Sequence, residues 1–120
     1  KPFYLPTMDG DKPQVRPFGA LCEFEDKLYL ITTNEKAVYR QMKQNPNVAI
    51  CGMHEDKWIR ISGQVEEDTR REARVAMMEA NKEVLSKMYS VDDQLMTVFR
   101  FINGQGTIYS FTAEPVTYSL

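Results

Sequence analysis

Residues 28–53 read "LYLITTNEKAVYRQMKQNPNVAICGM", and the fold follows from how this stretch divides. Residues 28–33 are a run of apolar, aromatic and β-branched side chains that predicts a strand. Residues 35–44 predict a helix, with Asn34 as its N-cap and Val38 and Met42 one turn apart as its apolar seam. Pro46 stops that helix, and Asn45 ahead of it is pushed out of helical geometry. Residues 47–53 then predict a second strand. Thr32, Thr33, Asn34 and Lys36 cluster where the helix begins. They admit two readings: an ordinary cap, or a seat for an anion at the free N–H groups of a helix start.

Outward from this stretch the chain is mostly strands. Residues 3–8, 14–24, 57–66, 97–102 and 107–112 carry the same β-forming residue types. Polar turns separate them, "DGDKP" at 9–13, "EDK" at 25–27 and 55–57, and "NGQG" at 103–106. A second helix is predicted over 69–88, opened by a Thr69–Glu72 capping box, with Ala73, Ala76, Met77, Ala80, Val84 and Met88 on one face. Several short strands with polar turns predict a mainly β fold, an antiparallel sandwich or small barrel with accessory helices. With 120 residues the expectation is one domain spanning 1–120.

Side-chain alternation sharpens two strands. Along 57–66, Ile59, Ile61 and Val65 are expected in a core, while Trp58, Arg60, Ser62 and Gln64 face the other way. A Trp and an Arg on the outer face call for a cover, whether a second subunit, a helix or a flat ligand. Along 14–24, Val15 and Leu21 are expected on one side and Arg16, Phe18 and Ala20 on the other, which like that of Trp58 and Arg60 is read as the non-core face. Pro17 cannot donate to a ladder, which puts this strand at an edge or at a bulge.

Composition and motifs exclude much. Net charge is −2, without the basic excess that phosphate-backbone binding needs, so no nucleic-acid partner is expected. No apolar run is long enough to span a membrane and the first residues lack a signal-peptide layout, so a cytoplasmic protein is expected. Cys22 and Cys51 read as reduced, buried thiols. One histidine, His54, in a predicted turn, leaves no metal cluster to assemble. GxxxxGK[ST], GxGxxG and GxSxG motifs are all absent. Asp92-Asp93 and Glu66-Glu67-Asp68 read as turn and helix-start residues. Any redox or transfer chemistry would then come from a bound cofactor.

The order "VRPFGALCEFEDKLYLITTNEKAVYRQMKQNPNVAICG" followed by "KWIRISGQVEED" resembles the pyridoxamine 5′-phosphate oxidase-like family, the FMN-binding split β-barrels. The likeness covers most of the chain and is nearest the short bacterial members related to nitroimidazole-resistance proteins. It implies an antiparallel Greek-key split barrel, FMN as cofactor, and a homodimer with FMN in the subunit cleft. It also implies an N-terminal helix ahead of residue 1 in relatives. Arg16 matches the Arg of the second strand that reaches FMN, with Pro17 and Phe18 along the flavin edge. Thr32, Thr33 and Asn34 match the strand end beside the ribityl phosphate, Lys36 lies in the phosphate turn, and Tyr39 belongs to the same contact set. Trp58 falls where many relatives place a Gln against the flavin ring, and Arg60 shares its face.

Two positions depart from the family pattern. The Lys that many relatives carry eight residues before the Pro of Asn-Pro is Val38 here, and Lys36 lies two residues earlier. The C-terminal segment that holds the substrate in true pyridoxamine phosphate oxidases has no match. The resemblance therefore implies a flavin-dependent oxidoreductase acting on some other small molecule, or a non-catalytic FMN carrier of the same fold. A deazaflavin or haem in place of FMN, or a dimer with no ligand at all, are the remaining alternatives.

Overall fold

The computed structural model describes residues 3–120. Eight strands and three helices follow in the order β1 (Phe3–Asp9), β2 (Lys12–Phe18), β3 (Leu21–Phe24), β4 (Lys27–Thr33), α1 (Ala37–Gln44), β5 (Asn47–His54), β6 (Lys57–Asp68), α2 (Arg71–Ala80), α3 (Lys82–Leu85), β7 (Met96–Ser110) and β8 (Val116–Ser119). All pairings are antiparallel. The ladder runs β2-β1-β5-β6-β7-β4-β3, and β8 adds to β7. β2 and β3 end that ladder on opposite sides, yet only Gly19 and Ala20 separate them in the chain. The sheet must therefore curl until its two ends meet. The result is a barrel left open along the β2–β3 seam, the split barrel expected from the sequence.

The predicted turns shape this curl. Gly10 has φ +63° at the β1–β2 turn, where a residue with Cβ would be strained. Glu25 and Asp26 have φ of 52° and 63°, both positive, as a two-residue hairpin with right-handed strand twist requires.

Two apolar cores lie on either side of the β4–β7 pair. Inside the barrel, Leu5, Leu30, Ile50, Ile61, Val65, Phe99 and Phe101 pack together, and α1 adds Val38 and Met42 as predicted. On the other side, Tyr29, Ile31, Met96 and Val98 pack under Ala73, Met77 and Leu85 of α2 and α3. β4 is consequently covered on both faces, which explains its continuous apolar run.

Several expectations are corrected. The segment 14–24 is two strands broken at Gly19-Ala20, although Pro17 does lie on an edge strand as expected. "NGQG" is not a turn: residues 97–102 and 107–112 belong largely to one continuous strand, β7, and β8 was not foreseen. Gly104 sits in β7 opposite Gly63 of β6, beside a register shift at Gln64/Val65. A Cβ at Gly63 would collide with the Asn103 carbonyl and the Gly104 Cα. The glycines permit close backbone approach, not chain reversal.

The helices also differ. Asn34 does not cap α1. Lys36 is the N-cap, without a side-chain cap bond, because the chain stays tied to the start of β7 for one more residue. The Asn34 backbone N–H donates to the Leu95 carbonyl at 3.0 Å and its side-chain amide donates to the Gln94 carbonyl at 2.9 Å. The predicted helix over 69–88 is broken at Asn81, whose amide donates to the Leu21 carbonyl of β3 at 3.0 Å and back to Met77. No Thr69–Glu72 box forms. Arg70 is the N-cap, and its N–H donates to the Asp68 carboxylate at 3.1 Å.

On β2 the alternation is right and the choice of face is reversed. Phe18 packs on the barrel core and Arg16 reaches in beside Leu5, whereas Val15 is 65% exposed. On β6, Ile61 and Val65 are in the core as expected, but Ile59 lies half out at the barrel mouth. No helix is long and apolar enough to cross a membrane.

Candidate functional site

The ten residues singled out in the sequence do not all fall in one place. Pro17, Phe18, Thr32 and Lys36 share one hollow of about 180 Å³ at the β2–β3 seam, closed on its far side by α3. β2 brings Pro17 and Phe18 to the seam, and the end of β4 brings Thr32 under it. Lys36 stands where α1 begins. The first turn of α1 has neither a side-chain cap nor an acidic residue, and Lys36 makes no ion pair among the described residues. One end of the hollow is thus electropositive and the rest is apolar. Val38, which occupies the usual family Lys position, is 4% exposed and belongs to the core. The chain's cation at this turn is therefore Lys36.

Arg16 is directed elsewhere. Its guanidinium donates to the Leu5 carbonyl at 3.1 Å, Thr7 Oγ1 at 2.6 Å and Gln41 Oε1 at 2.8 Å. The Thr7 hydroxyl also donates to Gln41. All three acceptors are neutral, and burial lowers the Arg16 pKa without discharging it. Arg16 ties β2, β1 and α1 together from the inside.

Thr33 is buried at the end of β4, next to the shared hollow but not lining it. Asn34 faces a separate polar hollow with Glu67, Arg74 and Gln94. The Tyr39 hydroxyl donates to Glu67 Oε1 at 2.8 Å, and Lys43 Nζ lies 3.2 Å from the same oxygen. That bond to Glu67 raises the Tyr39 pKa. The Tyr39 ring stands edge-on to Phe99.

Trp58 and Arg60 occupy the outer face of β6, as predicted, but their first cover comes from the same chain. Trp58 stacks on Tyr109, its cross-strand partner, with ring centroids 5.4 Å apart and planes 8° from parallel. Phe111 leans on Trp58 at 5.2 Å while staying 85% exposed. The Arg60 guanidinium sits 4.7 Å over the Tyr109 ring and donates to its hydroxyl at 2.9 Å. Sequence reading missed Tyr109 and Phe111 because it placed a turn inside β7. With β7 continuous, Tyr109 falls directly opposite Trp58. Beside this stack the barrel mouth opens as an apolar hollow of about 410 Å³ that includes Phe3, Leu28, Ile50, Ile59 and Ile108.

The cysteines are free, and Cys22 is buried as expected while Cys51 is only partly so. Burial pushes the Cys22 thiol up to about 11. The side chain of His54, at the end of β5, is 80% exposed.

The fold and this seam define a class, the split β-barrels. Within it, the sequence profile of the family described as pyridoxamine 5′-phosphate oxidase matches residues 1–110, and the chain belongs to that family. A NimC/NimA family protein from Clostridium acetobutylicum is 49% identical with a TM-score of 0.95, covering 99% of this chain and 83% of that one. A pyridoxamine 5′-phosphate oxidase-related, FMN-binding protein from Nostoc punctiforme is 15% identical at TM-score 0.66, covering 99% and 87% of the two chains. A heme-binding protein from Mycobacterium smegmatis is 14% identical at TM-score 0.75, covering 98% of this chain and 52% of that one. The last two show a shared fold. No functionally curated protein matches the sequence.

Proposed function

We propose that this chain binds FMN between two copies of itself and serves as a flavin-dependent oxidoreductase for a small molecule. The observation that carries the reading is the shared hollow. It puts an unpaired cation, Lys36, at an uncapped helix start, with Thr32 beside it and Phe18 and Pro17 along an apolar wall. A flavin monophosphate asks for that pairing of anion seat and flat apolar surface. Lys36 and the first-turn N–H groups would hold the phosphate, and Phe18 and Pro17 would flank the ring.

Size supports a second copy. The hollow of about 180 Å³ is smaller than the roughly 300–1,000 Å³ of ordinary cofactor sites, so one chain encloses only part of the ligand. The half-buried Trp58–Tyr109 stack, with exposed Phe111 and Arg60 beside it, is an aromatic and cationic surface of the kind enriched at interface centres. In this reading it is what the partner brings to the cleft. Arg16 holds the inner edge of the seam in place and is not itself a phosphate ligand. When bound, FMN would supply reversible electron and hydride chemistry that the chain's side chains lack.

Haem is the less favoured ligand. It asks for an axial side chain such as His, and the chain's one histidine lies, with its side chain 80% exposed, at the rim of the barrel-mouth hollow and not in the hollow that holds Lys36.

The test is an equilibrium titration of cofactor-free protein with FMN, followed by difference absorbance. Saturable binding is expected, and Lys36→Ala should weaken it about tenfold or more through loss of a charge-assisted contact. Absence of any FMN binding by the parent protein sinks the reading. Reduction of the loaded protein by NADH or NADPH then separates turnover from a carrier role.

A further inference from the structure

The hollow that holds Lys36 has a second wall, made by α3 and the residues just after it. Helical periodicity over 69–88 places Val84 and Met88 on the buried face with Ala73 and Met77. The break at Asn81 changes this. Anchored to the Leu21 carbonyl, Asn81 ends α2 and re-aims the chain. Leu85 then enters the core at 2% exposure, while Val84 and Met88 are left 58% and 60% exposed. Both line the same hollow as Phe18, Thr32 and Lys36. Two large apolar side chains thus face into the hollow that also holds Lys36.

We propose that Val84 and Met88 are specificity-determining residues: they form the apolar half of a two-part seat whose other half is Lys36. Such a seat takes an anion with a flat apolar body, and each half contributes independently. The inference rests on the FMN reading and deepens it, because FMN has both parts. Riboflavin has only the apolar part, and ribose 5-phosphate only the anionic one.

The crossed experiment measures dissociation constants of FMN and riboflavin for parent, Lys36→Ala, the double variant Val84→Ser/Met88→Ser, and Met88→Leu. Lys36→Ala should weaken FMN and leave riboflavin within twofold. The double variant should weaken both flavins by the same factor, about tenfold or more, as expected for removal of two exposed apolar contacts. Met88→Leu keeps an apolar side chain and should bind like the parent. Both substituted positions are exposed, so folding is expected to hold, and a thermal melt run alongside should show it.

A double variant that binds both flavins within twofold of the parent overturns the inference while leaving the FMN reading standing. So does a double variant whose only change is a shift from dimer to monomer in sedimentation, which would assign the pair to a subunit contact. A parent protein that binds neither flavin removes both.

Discussion

Asp68 ties the end of β6 to Tyr29 of β4 and to Arg70 at the start of α2, and its removal is the sharpest test of how these elements are held together. It ends β6, and its side chain is 4% exposed. The carboxylate accepts four hydrogen bonds: from the Tyr29 hydroxyl at 2.7 Å, the Arg70 backbone N–H at 3.1 Å, and Arg70 Nε and Nη2 at 3.0 and 2.9 Å. Arg100 Nη1 lies 3.9 Å away. Asp68→Asn keeps the shape and removes the charge. It also turns an NH₂ group toward one set of donors. Breaking a buried charge pair costs about 3–5 kcal/mol. Arg70 is partly exposed and can turn to water and to Glu25, so the expected loss is lower, about 2–3 kcal/mol. That corresponds to a fall in Tm of roughly 10 °C for a chain of this size. Urea denaturation followed by Trp58 fluorescence reads it directly.

The pH dependence follows with a definite sign. The Arg70 hydrogen bonds hold the Asp68 carboxyl well below the usual carboxylate range. A depressed folded-state pKa gives stability that is complete above the unfolded value of about 3.9 and is lost as pH falls below it. The gap between parent and Asp68→Asn should therefore be constant from about pH 7 to pH 5 and narrow below about pH 4. Carboxylates away from Arg70 titrate alike in both proteins and cancel in the difference. A loss under about 0.5 kcal/mol at pH 7, or a gap unchanged at about pH 3, would refute the assignment.

Two further outcomes follow from the sheet. Gly63→Ala should cost about 2–3 kcal/mol, because its Cβ meets the backbone at Asn103 and Gly104, while Gly19→Ala, with nothing within 4 Å, should change little. Paired urea melts check this, and equal effects would contradict the close approach of β6 and β7. Tyr109→Leu should cost about 1–2 kcal/mol and alter the emission of the chain's one tryptophan, since it removes both the Trp58 stack and the Arg60 cation–π contact. An unchanged emission spectrum would argue against the stack.

The strands and the first helix were legible because they depend on local signals. Alternation, β-branched runs and polar turns mark β1, β4, β5 and β6, and Pro46 marks the end of α1. What the sequence hid depends on distant partners. An arginine turned into a barrel reads as outward until Thr7 and Gln41 are seen to serve it. "NGQG" reads as a turn until Gly63 is placed opposite Gly104. Asn81 reads as a helical residue until the Leu21 carbonyl is beside it. The site shows the same division. Pro17, Phe18, Thr32 and Lys36 meet in one hollow, whereas Arg16, Thr33, Asn34 and Tyr39 serve the fold around it. Trp58 and Arg60 stand apart on the outer face, away from that hollow.

The central claim is a flavin held in a cleft between two copies of this chain. Its most direct measurement is size-exclusion chromatography with absorbance detection after mixing the protein with excess FMN. Flavin absorbance is expected to co-elute with a dimer at one FMN per chain. Protein that elutes without flavin, or a monomer that carries it, would overturn the proposed cleft.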